Sequence, residues 1–294
     1  MNLIQVFRQY PDQKSCIDFL ESIRFTPKAY CPLCGSFDVA RKAENDLVGR
    51  WNCHDCKGSF NVLSKTIFAK TKIPLQKWFL GIAIVVNAKK SVSSYQLSRD
   101  LELNQKSAWF MLQRIRAEMT NKQSDILLEG IVEADETFVG GKPRKRNKRE
   151  DDDNDTPRGR GSSRKQAVIG AVERGGKVVA EVASDLTGRG VMRFLRKAVY
   201  MDSDLITDEY GAYRAARGVF YHYTINHSER YVDGDLHTNT IEGFWSLLKR
   251  AWYGTHHHYN KHYTPLYVGE ACWKYNNRHE TDGGFGQFFR GCFA

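Results

Sequence analysis

The 294-residue sequence predicts an α/β protein whose C-terminal part forms a mixed-sheet domain behind a small metal-held module and a helical segment. Three observations predict it. From Ile131 onward, β-rich runs alternate with amphipathic helical ones. Two CxxC pairs, Cys31/Cys34 and Cys53/Cys56, lie near the N-terminus. Between these regions, from Pro74 to Met119, apolar residues recur at helical spacing.

Composition narrows the possible functions. A hydrophobic fraction of 41% is ordinary for a globular chain, and the length allows one large domain or two to three smaller ones. A formal charge of +10 and a pI near 9.2 point to a polyanionic partner. With nine His and many Arg and Lys set among aromatics, nucleic acid is the expected one. No apolar run approaches the ~18 residues of a spanning helix. Phe79–Ala88 is too short, and the N-terminus lacks a basic start followed by an apolar block, so no membrane role and no signal peptide are expected. Seven cysteines, four of them in two pairs, favour a reducing compartment with a metal site over a disulfide framework.

Residues 1–62 are expected to hold a short helix, Ser15–Ile23, and a zinc ribbon. The gap between the CxxC pairs falls within the ~15–20 residues of a C-x2-C…C-x2-C site. Gly35 and Gly58 relax the turns after each pair, so Cys31, Cys34, Cys53 and Cys56 can close a tetrahedral thiolate cage around Zn²⁺. Val39–Arg41 and Leu47–Asn52 are the expected strands between them. Cys16, Cys272 and Cys292 are isolated and read as core or surface thiols. Residues 63–125 are expected to be helical. Pro74 starts a helix with Leu75, Trp78, Phe79, Ile82 and Val85 on one face. Ser94–Leu101, a turn at Glu102–Asn104 and Gln105–Met119 then form a helix-turn-helix-like pair, with Arg114 and Arg116 as DNA-binding candidates.

Residues 126–294 are expected to form the sheet domain. Strand Ile131–Val139 carries three acids, Glu133, Asp135 and Glu136, although acids are depleted in strands. A flexible charged insertion, residues 142–165, follows. Strands Ala167–Val172 and Lys177–Ala183 are joined by a hairpin at Glu173–Gly176. Helix Gly190–Tyr200, strand Asp204–Thr207 opening onto Asp208, and strand Val219–Ile225 come next. Three strands, a helix, a strand, a helix and a strand is the order of an RNase H-like fold. The helix starting near Thr238 puts Ile241, Phe244, Trp245, Leu248 and Trp252 inward. Glu242, Ser246, Lys249 and Tyr253 share a second stripe. A last helix around Ala271–Tyr275 is expected to cover the sheet.

Asp135, Asp208 and Glu242 would supply oxygen ligands for Mg²⁺ (or Mn²⁺) in phosphodiester chemistry, with Lys249 and Arg250 beside them on DNA phosphate. Local roles compete with this one. Asp208 precedes a turn, and Asn239 with Glu242 three residues on fits a capping box. Either Glu133 or Glu136 could support Asp135, and His237 could orient a nucleophile. His256–His258 reads as solvated or phosphate-touching.

The stretches VEADETFVGG, LITDEYGAY and HTNTIEGFWSLLKRAWYGTHHH resemble the three signature blocks of DDE insertion-sequence transposases with an N-terminal zinc ribbon. CIDFLESIRF…CPLCG and TIFAKTKIPLQKWF are similar to that family too, so the resemblance spans nearly the whole chain. It implies a catalytic triad of Asp135, Asp208 and Glu242 with Mg²⁺. The implied substrates are DNA, namely the terminal inverted repeats of a mobile element and a target, and the implied state is a homo-oligomer on paired ends. It also implies transposition in the bacterial cytoplasm, at the nucleoid. The rival expectation is a non-catalytic DNA-binding regulator with an active ribbon and helix-turn-helix and a decayed RNase H-like part.

Overall fold

A computed structural model describes residues 1–42, 49–121, 125–140, 165–225, 237–258 and 260–293. The chain divides into two compact units, one of residues 1–122 with 277–294 and one of residues 123–276.

The first unit starts with α1 (Leu3–Gln9) and α2 (Gln13–Arg24), each opened by a reciprocal cap, Asn2 with Gln5 and Asp12 with Ser15. A three-stranded antiparallel ribbon follows, β1 (Val39–Arg41), β2 (Trp51–Cys53) and β3 (Ser59–Phe60), in that spatial order. The helix α3 (Leu75–Asn87) is the centre of this unit, with Trp78, Phe79, Ile82 and Val85 fully buried; Pro74 is its N-cap. Next, α4 (Ser94–Asp100) and α5 (Gln105–Asn121) pack as a pair, with Glu102 in a left-handed conformation (φ +49°) at the turn.

The second unit holds β4 (Ile131–Val139), β5 (Gln166–Glu173), β6 (Val178–Val182), α6 (Gly188–Ala198), β7 (Asp204–Asp208), β8 (Tyr221–Ile225), α7 (Asn239–Ala251) and α8 (Thr264–Asn276). Between β7 and β8, where a helix was expected, runs a short 3-10 segment, Gly211–Ala216. The sheet order is β6-β5-β4-β7-β8, antiparallel across the first three strands and parallel from β4 to β7 and β8. This is the RNase H-like arrangement. Val132, Ala134 and Ile169 face α6 and the 3-10 segment, meeting Phe194, Leu195 and Tyr213. The opposite face, with Val139, Val168, Val172 and Val178, is covered by Ile241, Phe244, Trp245 and Leu248 of α7 and Val268 and Cys272 of α8.

Two expected boundaries differ from the packing. Residues 277–294 were assigned to the sheet domain, but α9 (Phe285–Gly291) belongs to the first unit. There its Phe289 ring lies 4.5 Å from Phe79 and 5.3 Å from Phe19. No break separates residues 1–62 from 63–125, because α1 and α2 pack directly on α3. Residues 142–164 of the charged insertion and the start of the strand expected at Leu47–Asn52 lie outside the described residues.

Candidate catalytic site and metal-binding clusters

Because β4 and β7 run parallel with Ala134 opposite Thr207, the next residues along, Asp135 and Asp208, emerge side by side. Carboxylate oxygens of Asp135, Glu136 and Asp208 all lie within 4.8 Å of one another. Burial is the largest influence on Asp135 and raises its carboxyl to about 6. The Glu136 backbone N–H opposes that, the negative charges of Asp208 and Glu242 add to it, and the Trp245 indole lowers it. The indole Nε1 donates to Asp135 Oδ2 at 3.0 Å. Asp208 also fills the turn role expected of it, accepting from the Tyr210 N–H at 2.9 Å. Glu136 Oε2 accepts at 3.3 Å from the phenol of Tyr213, whose burial pushes its pKa well above the ordinary value and keeps the donor proton in place.

The helix α7 carries Glu242, the third acid expected from the sequence, which is not part of the group within 4.8 Å. Its N-cap is Thr238, without a side-chain cap bond, so the capping box expected of Asn239 and Glu242 is not formed. The orphan N–H groups are taken by Glu133 of β4 instead. Glu133 Oε2 accepts from Thr240 N at 2.8 Å and Ile241 N at 3.0 Å, and Oε1 from the Thr240 hydroxyl at 2.9 Å and Arg174 Nε at 2.7 Å. His237 sits in this collar, with Nδ1 3.0 Å from the Arg174 guanidinium and 3.3 Å from Glu133 Oε1. These contacts tie its ring to the start of α7. Glu242 accepts at 3.4 Å from the Thr238 hydroxyl and is exposed, as are Lys249 and Arg250 farther along the helix and Tyr253 in the π-helical turn after it.

In the ribbon, Cys31 and Cys56 Sγ are 3.8 Å apart and Cys34 and Cys53 Sγ 3.6 Å. Tetrahedral thiolates at about 2.3 Å from a zinc ion are about 3.8 Å from each other, so the four sulfurs fit such an ion. Gly35 is left-handed (φ +82°) as its turn requires, whereas after the second pair Lys57 takes that conformation (φ +56°). Gly58 is needed for space, since a Cβ there would stand 2.7 Å from Leu33 Cδ1.

Of the two arginines expected to contact DNA, Arg116 is corrected by its burial. Arg116 is 1% exposed, and its guanidinium bonds the Ser91 hydroxyl and Val92 carbonyl. Arg114 donates to the carbonyls of Ile67 and Ala69 and stacks on Phe110, 4.4 Å from the ring centroid. Arg116 thus belongs to the core of the helical unit, while half-buried Arg114 ties α5 to the backbone at Ile67 and Ala69. Sequence reasoning also missed Trp245 as the partner of Asp135, and Gly170 with it. Gly170 pairs with Asp135 across the sheet, and a Cβ there would meet the Trp245 ring at 2.6 Å. A glycine inside an apolar strand, opposite an acid, is a signal of close approach.

Residues 127–276 match the family described as ISXO2-like transposase domain. An uncharacterized protein in transposable element ISH50 of Halobacterium salinarum is 27% identical over 257 residues, covering 85% of this chain and 86% of that one. Among solved structures, a pre-cleavage Mos1 transpososome is similar at 11% identity and TM-score 0.25, covering 72% of this chain and 76% of that one. The Mos1 strand transfer complex is similar at 13% identity and TM-score 0.24, covering 70% and 77%. At such TM-scores these two add nothing to the sheet order described above.

Proposed function

The chain belongs to the ISXO2-like transposase family, and we propose that it is a DNA transposase that cuts the terminal inverted repeats of its element and joins the freed 3′-OH to target DNA. The observation that carries this is the convergence of Asp135 and Asp208 on adjacent parallel strands, with the helix that bears Glu242 tied to Asp135 through the Trp245 indole. Asp135, Asp208 and Glu242 are the catalytic acids and would hold divalent cations, Mg²⁺ or Mn²⁺. All-oxygen donors suit hard ions of that kind, and oxygens of Asp135 and Asp208 lie within 4.8 Å of each other, with one of Glu136. When bound, such ions supply an activated attacking oxygen and charge stabilisation for the leaving one.

The chain's own groups prepare the site. The Trp245 indole and the Tyr210 N–H fix the orientations of Asp135 and Asp208, leaving further lone pairs on each for other contacts. Packing of α7 keeps bulk water off the buried side of Asp135. Lys249 and Arg250, exposed about two turns beyond Glu242, hold DNA phosphates as point charge and fork. The four cysteines hold Zn²⁺ and so fold the ribbon. The enzyme works on paired element ends as a homo-oligomer, in the bacterial cytoplasm at the nucleoid. Among the described residues no helix is long and apolar enough to cross a membrane.

The test is incubation with Mg²⁺ and a labelled element end. Nicked and then joined product is expected from the wild type. Asp135→Asn and Asp208→Asn should give neither while binding ends as before. Joining by either variant at the wild-type rate would overturn the assignment. Binding without any nicking by the wild type would favour the non-catalytic regulator.

A further inference from the structure

Glu133 is 0% exposed, two residues before Asp135 on the same face of β4. A buried carboxylate is tolerated only when paired and hydrogen-bonded, and this one is saturated. Its two oxygens accept from Thr240 N, Ile241 N, the Thr240 hydroxyl and Arg174 Nε, all between 2.7 and 3.0 Å. Arg174 in turn donates to the His237 carbonyl at 2.8 Å, tying the residue that leads into α7 to the β5–β6 hairpin. Saturation leaves Glu133 little capacity to ligate a cation, although it belongs to the same acid-rich strand.

We propose that Glu133 is a positioning residue that sets the axial register of α7 and so the height of Glu242 relative to Asp135. This rests on the reading of Glu242 as a site acid. The strand grips the helix at two places. Glu133 holds it at Thr240 and Ile241, and Asp135 holds it at Trp245. Two residues of strand span about 6.7 Å, and the four to five residues from Thr240 or Ile241 to Trp245 span about 6–7.5 Å of helix. The two grips therefore match in length only while α7 lies along β4 in this register. Glu242 falls between them, and its side chain is fixed in height by anchors on both sides. Gly170 completes the second grip by letting the indole lie against β5.

The test is a cycle of Glu133→Gln and Glu242→Ala in the full-length protein, read by Mn²⁺ binding (electron paramagnetic resonance of the free ion) and separately by urea unfolding. Gln keeps the shape but turns one acceptor into a donor facing Arg174 or Thr240. Supporting residues of metal sites typically change affinity by about 10–100-fold, so Glu133→Gln should weaken Mn²⁺ binding by about 10-fold or more. In the Glu242→Ala background it should add less than about 2-fold. Thr240→Val, which removes one donor and keeps both backbone bonds, should give a smaller loss with the same dependence on Glu242. It serves if Glu133→Gln does not fold. Equal losses in both backgrounds would overturn the proposal, as would unchanged Mn²⁺ binding in Glu133→Gln when Glu242→Ala is impaired. If Glu242→Ala binds Mn²⁺ like the wild type, the site reading fails first, and the positioning role fails with it.

Discussion

Asp135→Asn should make the metal-free protein more stable, by an amount that depends on pH. The Asp135 carboxyl is raised from 3.8 to about 6, chiefly by burial. Between those values the folded chain holds a proton that the unfolded chain has released, so stability falls as pH rises through the window. Two pKa units at about 1.4 kcal/mol each put the full penalty near 3 kcal/mol. Integrated from the two values, about 1.5 kcal/mol is already lost at pH 5 and essentially all by pH 7. Asn carries no charge, so the variant escapes the penalty, while its amide oxygen still accepts from the Trp245 indole. The advantage of Asp135→Asn should therefore grow from little near pH 4 to about 3 kcal/mol near pH 7, then level off. Urea unfolding at fixed pH, followed by tryptophan fluorescence without added divalent ions, reads this as a midpoint gap of about 1–2 M at neutral pH. Adding Mg²⁺ should stabilise the wild type and narrow the gap. A gap that does not change with pH, or a variant less stable at pH 7, would refute a charge held unfavourably at this position.

The other predictions concern packing, zinc and DNA. Gly170→Ala places a methyl group against the Trp245 ring and should cost about 1–3 kcal/mol in unfolding free energy, with a larger proportional loss of end cleavage; an unchanged Tm and rate would show the indole to be movable. Cys34→Ser should remove the one equivalent of zinc expected by elemental analysis and loosen the ribbon, seen as lost amide-exchange protection in β1–β3. Arg116→Met should lower stability by about 1–3 kcal/mol and leave the salt dependence of end binding as it was. Lys249→Ala or Arg250→Ala should each reduce the salt slope by about 1 with stability unchanged. The opposite pattern would restore Arg116 as a DNA contact.

What could be read in the sequence was what local geometry dictates. The alternation of Ile131–Val139, the hairpin at Glu173–Gly176 and the Cys31–Cys56 knuckles depend on neighbours a few residues away, and all are present. The place of α9 depends on which aromatic pocket Phe285 and Phe289 reach, and no short-range pattern encodes that. Arg116 is a different case. It lies four residues after Leu112 and three before Met119, both buried, so helical arithmetic already put it on the inner face of α5. The basic charge of the chain drew it toward DNA instead. Glu133 was ambiguous for a better reason: the groups that decide its role come from Arg174 and from a helix that starts more than 100 residues later.

Lone pairs separate the acids that hold the fold from those left to do chemistry. Glu133 and Asp135 share a strand, a face and a charge, yet Glu133 is filled by helix N–H groups, a hydroxyl and a guanidinium. Asp135 is met by the Trp245 indole and a backbone N–H and is half-buried, with oxygens of Glu136 and Asp208 within 4.8 Å. A carboxylate can accept at about four positions, so the first is spent and the second is not. That difference arises because the helix start faces Glu133 while the helix body faces Asp135 and meets it with the Trp245 indole. Moving α7 by one residue would carry its N–H groups away from Glu133, strand a buried charge and draw the indole off Asp135. The stability of the helix start and the competence of the site are therefore coupled through β4, and a variant that damages one should be found to damage the other.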